Sequence, residues 1–434
     1  MVAVPLRTGP GPLEARVTGT RRPWRLRAVE ALDDLEPRAR AFLPRPVFAY
    51  VSGATERDAS NADTRAALAG LGFVTQVLRG VSERDAGVEL LGQRWRQPFG
   101  IAPMGMSALA AYRGDLALAK AAGAAGIPMV VSGTGLVRLE DVKAENPDAW
   151  FQAYVPGDRE SIAGLLDRVA AAGYRRLVVT VDLPVPCNPE HYRRAGFSSP
   201  VRPRPRLFWD GALRPAWSIG VFMRTLLTHG MPHFENSGAG RGAPILARRA
   251  AREFGRRAHL DWSHLAFIRT RWQGQLIVKG MTAAEDVRTA AEEGADAAWL
   301  SNHGGRQLDG AVSPLRTIAE ARALCPKLPL ILDSGLRRGT DILKAVALGA
   351  DFVFIGRPFL YAAALGGAAG VTQAVNILAE EVDRDMALLG IRRLSEMTAD
   401  RLVRLGAGAP VALPQPQLQP LALSDGVSPS VSGA

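Results

Sequence analysis

Cysteine is scarce in this chain of 434 residues, which has only Cys187 and Cys325, and neither has a spacing typical of a metal site. The sequence also lacks an uninterrupted apolar run of about eighteen residues, an apolar signal-peptide core, and any Walker, G-x-S-x-G or H-E-x-x-H motif. These absences argue against a disulfide framework, a spanning helix, secretion and a metal centre. We therefore expect a cytoplasmic protein without a metal.

One segment of the chain, residues 197–272, contains few acidic residues and carries most of the net positive charge. The formal net charge is +11, and residues 197–272 contain thirteen arginines and no lysine against four acidic residues. The same segment holds four of the eight tryptophans, and arginine with tryptophan suits an anionic lipid interface. The ordinary alternative is a solvated surface loop. We expect a peripheral contact with the inner face of the cell membrane through 197–272, and no binding of nucleic acid.

Continuous apolar runs alternate with Ala- and Leu-rich segments of helical composition. Runs without polar alternation are typical of parallel strands that are buried on both faces. Eight successive βα units predict a single α/β domain, a (β/α)8 TIM barrel. A doubly wound sheet is the alternative, but "SGTGLVR" has Arg138 where a dinucleotide fingerprint needs its third glycine. The eight runs are 99–104, 128–133, 150–155, 176–182, 275–281, 297–303, 328–335 and 351–357.

The remaining segments surround this barrel. The interval from the fourth run to the fifth is too long for one βα unit and therefore contains an insertion. The predicted layout is a disordered basic arm (1–28), an N-terminal helical cap (29–98), the barrel (99–390) with its insertion (187–262) after strand four, a C-terminal helical segment (391–411) and a disordered tail (412–434).

Polar side chains stand at the carboxyl ends of all eight runs, where a barrel collects its functional groups. Each alone has an ordinary structural explanation, since His303 could be a core histidine and Lys279 could extend to the surface. Together they supply a base, His303, and a carboxylate able to balance its charge, Asp182. They also supply a phenol, Tyr154, and a guanidinium for a substrate carboxylate, Arg306.

A cofactor is indicated by the last strand ends. The glycine-rich stretches "DSGLRRG" and "IGRP" suit a single phosphate, and a buried Lys279 suits an electron-rich ring that needs a positive partner when reduced. A phosphate together with a ring favours flavin mononucleotide (FMN).

The stretch "SNHGGRQLDG" (301–310) closely resembles the signature of the FMN-dependent α-hydroxy acid dehydrogenase/oxidase family, which includes glycolate oxidase, lactate dehydrogenase and mandelate dehydrogenase. The resemblance extends from about residue 43 to 405 and includes "APMGMSALA", "FQAYV", "TVDLP", "IVKGM" and "ILDSGLRRGTDILKAVALGADFVFIGRPFLY". It implies oxidation of an L-2-hydroxy acid to the 2-oxo acid, with flavin N5 as electron acceptor. It also implies a homo-oligomer, a tetramer in this family.

Residue roles follow from the resemblance position by position. His303 would be the base, Asp182 would stabilise its imidazolium, and Arg306 would bind the substrate carboxylate. Tyr154 would hydrogen-bond the substrate hydroxyl, and Tyr50 is a further candidate for the substrate site. The implied FMN ligands are Met104, Gly105, Ser132, Gln152, Thr180, Lys279, Ser301, Asp333, Gly335, Arg337, Gly356 and Arg357.

Two departures from the family pattern lie on the substrate side. Many members have a tyrosine in a "YYxSGA" context, where this chain has "FAYVSGA" with Ala49 at that position. The family arginine that follows "TVDxP" is replaced by Pro189. We therefore expect poor turnover of glycolate and lactate, and a preference for a bulkier acid.

Two other functions remain open at the level of sequence. The same FMN barrel could act on an amine-bearing or peptide-derived acid. A basic interaction protein that has lost turnover is the alternative from a different class, but it leaves the intact set of His303, Asp182 and Arg306 unexplained. No motif identifies the electron acceptor, which in this family is oxygen, a quinone or a carrier protein.

Overall fold

The region before the barrel forms three α-helices and three short strands in the computed structural model, which describes residues 24–198, 201–202, 205–247, 257–406 and 411–412. Pro46 lies in the first turn of the second helix, where the missing N–H of proline costs no hydrogen bond. The elements are α1 (Leu35–Phe42), α2 (Arg45–Ser52), α3 (Ala59–Ala69), β1 (Leu71–Phe73), β2 (Val88–Leu90) and β3 (Gln93–Trp95).

Residues 24–28 belong to the fold, although the sequence predicts them to be part of a disordered arm. Trp24–Leu26 form a 3-10 helix, and the side chain of Leu26 is fully buried. The side-chain amide of Gln373 donates to the backbone oxygen of Leu26 at 2.9 Å. Burial of this apolar side chain fixes the segment. The rest of the predicted arm, 1–23, lies outside the described residues.

The eight apolar runs form eight parallel strands, which confirms the predicted barrel. From the second strand to the eighth, each strand pairs with the next one in sequence, and the eighth pairs with the first. Only the first and second strands do not form a ladder with each other. A hydrogen bond from Ile101 N to Pro128 O at 2.9 Å and a bridge between Ile101 and Met129 close the remaining gap. The strands are β4 (Phe99–Ile101), β5 (Val130–Ser132), β6 (Trp150–Tyr154), β7 (Arg176–Thr180), β8 (Gln275–Met281), β9 (Ala297–Leu300), β10 (Leu330–Leu332) and β11 (Phe352–Ile355).

Aromatic side chains fill the barrel interior. Trp150, Trp299 and Phe354 are buried there, and the rings of Trp299 and Phe354 stack at 4.2 Å between centroids. Trp95 of the β2–β3 hairpin packs into the same cluster. These residues fill the centre and the amino-terminal end of the barrel, so functional groups have space only at the carboxyl ends of the strands.

Helices surround the strands, and the last is the longest. It runs for 33 residues with a break in helical geometry at Gly367. It is long and apolar enough to cross a membrane, but 61% of its most apolar window is buried inside the fold, as in a core helix. The helices are α4 (Ser107–Ala110), α5 (Gly114–Ala125), α6 (Leu139–Glu145), α7 (Arg159–Ala171), α8 (Glu190–Arg194), α9 (Pro205–Ala212), α10 (Pro215–Trp217), α11 (Arg224–His229), α12 (Trp262–Arg271), α13 (Ala284–Glu292), α14 (Pro314–Leu324), α15 (Gly339–Ala347) and α16 (Arg357–Leu389).

Among the described residues, the chain between β7 and β8 contains five of these helices, α8 to α12, and a π-helix at Ser218–Met223. Two buried residues attach it to the barrel. The Trp217 indole N–H donates to Leu109 O at 2.8 Å, and the side chain of Asn236 bonds to backbone atoms of Val137 and Leu139. The insertion therefore packs on the barrel at defined points.

Residues 391–406 differ from the predicted C-terminal helical segment. They form two single-turn 3-10 helices, Leu394–Glu396 and Ala399–Arg401, followed by β12 (Leu402–Arg404). Strand β12 pairs antiparallel with β1 and with β13 (Val411–Ala412). The helical prediction is wrong because pairing with a strand some 330 residues away in sequence decides the conformation. The predicted tail beyond residue 412 lies outside the described residues.

Candidate active site

The imidazole of His303 lies between a carboxylate and a phenol. Its Nδ1 is 3.0 Å from both oxygens of Asp182, and its Nε2 is 3.4 Å from the hydroxyl of Tyr154. The two side chains of the ion pair are only 18% and 12% exposed. With Nδ1–H donating to Asp182, the free lone pair of the neutral ring is on Nε2. The structure thus brings together three of the four residues predicted to be catalytic.

The backbone around His303 explains the unusual glycine pair that follows it. His303, Gly304 and Gly305 all have left-handed φ values, of 57°, 63° and 72°. A Cβ atom on Gly304 would lie 2.9 Å from Nη1 of Arg357, and one on Gly305 would lie 3.0 Å from Nδ2 of Asn61. Three consecutive left-handed residues turn the chain back over the strand end, a course that glycine permits without a steric penalty.

Asp182 follows β7 and lies against the neighbouring strand. A Cβ atom on Gly280, at the end of β8, would approach the Asp182 side chain to 2.7 Å. Gly280 also has φ at 114°, a region that side-chain-bearing residues rarely adopt. The absence of a side chain at 280 therefore makes room for the carboxylate.

Arg306, the fourth predicted catalytic residue, is held by the end of a helix. Its Nη2 donates to the backbone oxygens of Tyr50 at 2.6 Å and Val51 at 2.5 Å. Both oxygens are among the last carbonyls of α2, which have no partner within the helix and carry its negative dipole end. A carboxylate has a full negative charge where these carbonyls have only partial ones, so the guanidinium can exchange the backbone oxygens for a carboxylate.

Tyr50 joins an aromatic cluster beside Arg306. Its ring stacks on Phe197 at 4.7 Å and meets Tyr192 edge-on at 6.0 Å, and the Arg306 guanidinium carbon is 5.4 Å from its centroid. Its hydroxyl donates to Gly105 O at 3.3 Å. Burial raises the pKa of the Tyr50 phenol, and the charge of Arg306 opposes that rise. Tyr50 is therefore a neutral hydrogen-bond donor, and its hydroxyl reaches from α2 to the end of the first barrel strand.

Several predicted FMN ligands carry buried polar atoms without a hydrogen-bond partner among the described residues. Native proteins rarely leave such atoms unpaired, so a cluster of them indicates a site for a ligand. The unpaired atoms include Gln152 Nε2, Thr180 Oγ1, Arg337 Nη1 and Arg357 Nε.

Neighbouring residues orient these groups at the strand ends. The Ser132 hydroxyl and the Gly133 N–H both donate to Oε1 of Gln152, at 3.3 and 3.4 Å, which leaves the amide N–H₂ to face the site. Lys279 donates to Ser301 Oγ at 2.8 Å and lies 3.1 Å from Asp333. A buried cation, an amide and hydroxyls at adjacent strand ends fit the polar edge of an isoalloxazine ring.

Arginines and glycines meet beyond β10 and β11. Arg357 is half-buried and donates to Gly53 O at 3.0 Å and Gly304 O at 2.6 Å. Burial first, and repulsion from Arg306 second, lower the pKa of Arg357 to about 10, so it stays charged at neutral pH and gains from a nearby anion. A Cβ atom on Gly335 would lie 2.7 Å from Thr64, which shows how closely the backbone is packed there. These residues fit a phosphate group.

The other predicted cofactor residues line the first and last strand ends. A Cβ atom on Gly105 would be 2.2 Å from Thr134 Oγ1, so a side chain at this position would require the Thr134 hydroxyl to move. Gly356 lies beside Met104, whose sulfur would be 3.7 Å from a Cβ at 356. All twelve predicted FMN residues therefore lie at or just beyond the carboxyl ends of barrel strands.

Sequence reasoning missed residues that organise the site from other elements. The Ser334 hydroxyl donates to Asp333 at 2.9 Å and accepts the N–H groups of Asn302 and Gly304, tying the seventh strand end to the sixth. Arg257 of the insertion is buried, with its guanidinium carbon 5.1 Å from the ring centroid of Tyr154. Ser334 lies inside a quoted motif and could have been included, whereas nothing distinguishes Arg257 within an arginine-rich segment.

The chain is similar to known proteins over most of its length. The model of the FMN-dependent dehydrogenase family matches residues 39–404. The chain is 36% identical to an L-lactate dehydrogenase of Ectopseudomonas mendocina (strain ymp), over 87% of this chain and 99% of that protein. It is also 36% identical to the (S)-mandelate dehydrogenase of Pseudomonas putida, over 84% of this chain and 91% of that protein.

Solved structures give the same result. The crystal structure of the monotopic membrane protein (S)-mandelate dehydrogenase has a TM-score of 0.81 at 35% identity, and covers 87% of this chain and all of that one. That of mandelate oxidase has a TM-score of 0.73 at 31% identity, and covers 86% of this chain and 98% of the other. The match of the family model, of fold and of sequence over most of the chain identifies this protein as a member of the FMN-dependent dehydrogenase family.

Proposed function

We propose that this protein oxidises an L-2-hydroxy acid to the 2-oxo acid, with His303 as the base. The arrangement of His303 between Asp182 and Tyr154 carries the proposal. Oxidation of an alcohol carbon to a carbonyl removes two electrons and two protons from the substrate. Bound FMN would accept the two electrons and one of the two protons. His303 takes a proton at Nε2, and the Asp182 carboxylate at 3.0 Å stabilises the imidazolium that results.

Arg306 and Tyr154 orient the substrate in this proposal. The Arg306 guanidinium exchanges its bonds to the α2 carbonyls for a bidentate pair with the substrate carboxylate. Burial raises the pKa of the Tyr154 phenol, and the nearby Asp182 carboxylate adds to the rise, so Tyr154 stays protonated and donates a hydrogen bond to the substrate oxygen. The substrate hydroxyl is thereby held next to Nε2 of His303.

We infer that the preferred substrate carries an aromatic or long side chain. Ala49 and Pro189 remove two groups by which family members hold a small acid, and loss of a hydrogen bond to a charged group costs about 1.5–3 kcal/mol. The rings of Tyr50, Tyr192 and Phe197 lie beside Arg306 and offer an apolar wall. A large side chain can bury surface against this wall, and glycolate cannot.

Stopped-flow reduction of the bound flavin by a panel of acids tests both inferences. The panel contains glycolate, lactate, mandelate, phenyllactate and a long-chain 2-hydroxy acid, with the matching 2-amino acids as controls. We expect the aromatic and long-chain hydroxy acids to have the highest kcat/KM. Glycolate or lactate as the best substrate contradicts the size inference alone. Faster reduction by an amino acid than by every hydroxy acid contradicts the proposed substrate class.

We infer further that the insertion attaches the protein to the cytoplasmic face of the membrane. Its helix α9 exposes Phe208 by 70% and Trp209 by 66%, and Ile219 and Leu227 are also largely exposed. Arginines flank these apolar side chains, as at an anionic lipid interface. The similar (S)-mandelate dehydrogenase is described as a monotopic membrane protein, which supports the same inference.

Sedimentation with vesicles tests the attachment. The double variant Phe208→Ser/Trp209→Ser should bind at least about tenfold more weakly, because each buried aromatic contributes about 1.5–3 kcal/mol. The matched control is Val77→Ser/Leu78→Ser, which removes two equally exposed apolar side chains outside the insertion. Equal binding of the two double variants would refute attachment through α9.

A membrane location also favours a lipid-soluble quinone as electron acceptor over oxygen or a carrier protein. Reoxidation of the reduced protein by a short-chain quinone should then be faster than reoxidation by air-saturated buffer.

A homotetramer is the assembly expected from the family resemblance. Light scattering in detergent should give four times the mass of one chain.

A further inference from the structure

A basic cavity of about 510 Å³ lies between the helical cap and the insertion; Ala49 of the substrate side lies at its edge, but His303, Asp182, Tyr154 and Arg306 do not line it. Its lining residues belong to α1, α2 and α8, with Arg214 just beyond α9, and α2 packs against both α8 and α9. Four arginines, Arg40, Arg45, Arg194 and Arg214, line it together with His191, and Phe48 contributes to its apolar floor. Its volume is in the range of ligand-binding pockets.

The positive charge in this cavity is largely uncompensated. None of the lining residues is acidic, and among the described residues only Arg194 has a carboxylate partner, Glu190. The Arg40 guanidinium lies over the Phe48 ring at 4.9 Å, so an aromatic face and not an ion pair holds it. Nε of Arg214 is buried and has no hydrogen-bond partner among the described residues. Like charges collected in one cavity repel each other unless an anion joins them.

The chemistry of the lining identifies the class of anion. Guanidinium groups present paired N–H donors that match phosphate oxygens, and several of them around one cavity suit a group with more than one acceptor oxygen. The apolar floor suits a ligand whose phosphate is attached to carbon.

The position of the cavity identifies the source of that phosphate. Arg214 directly follows Leu213, which is exposed, and Leu213 lies just beyond the exposed Phe208 and Trp209 of α9. When these apolar side chains enter a bilayer, an arginine next to them comes to the depth of the lipid phosphates.

We propose that the cavity of Arg40, Arg45, Arg194 and Arg214 is a binding site for the phosphodiester headgroup of an anionic phospholipid. The inference rests on the proposed membrane attachment and adds a defined, saturable headgroup site to it. The apolar residues of α9 supply attachment, and the cavity supplies selection of anionic lipid.

Vesicle binding of the FMN-loaded full-length protein tests the site. Affinities are compared for phosphatidylcholine vesicles and for vesicles that also contain phosphatidylglycerol, at one fixed ionic strength. The cavity variant is Arg45→Gln/Arg214→Gln. The control is Arg65→Gln/Arg404→Gln, which removes the same charge from exposed residues that do not line the cavity.

The cavity variant should lose about 25-fold in affinity for phosphatidylglycerol vesicles, since an arginine at an anionic surface contributes about fivefold. Its residual binding to phosphatidylcholine should equal that of the unchanged protein, and the control should lose less than about threefold in either case. Equal losses of affinity in the two double variants would contradict the headgroup site but not the membrane attachment. Failure of the unchanged protein to bind either vesicle overturns the attachment as well.

A competition experiment with soluble phosphates distinguishes a lipid headgroup from free phosphate as the ligand of the cavity. Inorganic phosphate and glycerophosphoglycerol are each added as competitors of phosphatidylglycerol vesicles, with sulfate at equal ionic strength as the reference. Competition by glycerophosphoglycerol beyond that of sulfate supports the headgroup site. Stronger competition by inorganic phosphate than by glycerophosphoglycerol assigns the cavity to a free phosphate and overturns the lipid assignment.

Discussion

Nδ1 of His303, at the end of β9, lies 3.0 Å from both carboxylate oxygens of Asp182, at the end of β7. Gly280, the residue before the last of the intervening strand β8, has no side chain and so leaves space for this contact. The contact fixes the tautomer of the ring and directs Nε2 towards Tyr154. Proton transfer therefore depends on a pair that the barrel assembles from two separate strands.

The first prediction concerns this pair. His303→Ala should slow flavin reduction by at least about 100-fold while FMN stays bound, because a positioned base contributes 10²–10⁴ in rate. Asp182→Asn should slow it by about 10- to 150-fold, through loss of a charge-assisted hydrogen bond. The control His264→Ala changes a histidine that bonds only to a helix-capping aspartate and should reduce at the normal rate. Normal reduction by His303→Ala would make that histidine structural.

The second prediction separates the phosphate from the ring. Arg357→Gln should weaken FMN binding by about 10- to 150-fold, since a bond to a charged group is lost. Riboflavin lacks the phosphate and should bind both proteins equally. Fluorescence titration of apoprotein with each flavin provides the measurement, with Arg338→Gln as the neighbouring control, because Arg338 pairs with Glu381. Equal weakening of the two flavins by Arg357→Gln would exclude a phosphate at this arginine.

The third prediction concerns the aromatic cluster. Tyr50→Leu removes the ring that stacks on Phe197 and should raise KM for an aromatic acid by about 2- to 12-fold. Tyr50→Phe keeps the ring and should change KM by less than about twofold. Steady-state kinetics with phenyllactate and lactate give the comparison. If Tyr50→Phe proves as damaging as Tyr50→Leu, the hydroxyl and not the ring contacts the substrate, in place of the tyrosine missing at Ala49.

The fourth prediction is a pH dependence of stability from Asp115, a buried residue in the first turn of α5. Burial raises the pKa of Asp115 to about 6 from an ordinary value of 3.8. The folded state therefore holds this proton more tightly than the unfolded state, so stability falls as pH rises from about 4 to about 6 and then levels off.

Asp115→Asn should abolish that fall. Relative to the unchanged protein, the variant should gain up to about 3 kcal/mol between pH 4 and pH 8. Urea unfolding with saturating FMN provides the free energies. Asp286→Asn, at an exposed position on α13, should gain nothing over the same range. A constant difference between Asp115→Asn and the unchanged protein would contradict the raised pKa.

The barrel could be predicted from sequence because its strands are buried on both faces, so each appears as a continuous apolar run such as "WFQAY" or "AAWL". The candidate site could be predicted for a related reason. A polar residue that ends an apolar run must lie at the open end of the barrel, which places Lys279 and His303 on the same side.

Contacts between distant segments could not be read in this way. The β12–β1 pairing depends on residues that are far apart in the chain, and its three-residue strands have no periodicity. The same holds for Leu26, which is fixed by Gln373 of the last helix. Arg257 and the basic cavity combine side chains from separate elements, and only the folded chain brings these together.

The side chains that surround the reacting group have two origins, and this matters for laboratory evolution. His303, Asp182 and Lys279 are fixed by barrel strands and by a left-handed turn that tolerates almost no substitution. Tyr50, Tyr192 and Phe197 come from the cap and the insertion, and their rings pack against one another. Combinatorial libraries limited to these three positions would therefore explore new substrates without disturbing the redox chemistry.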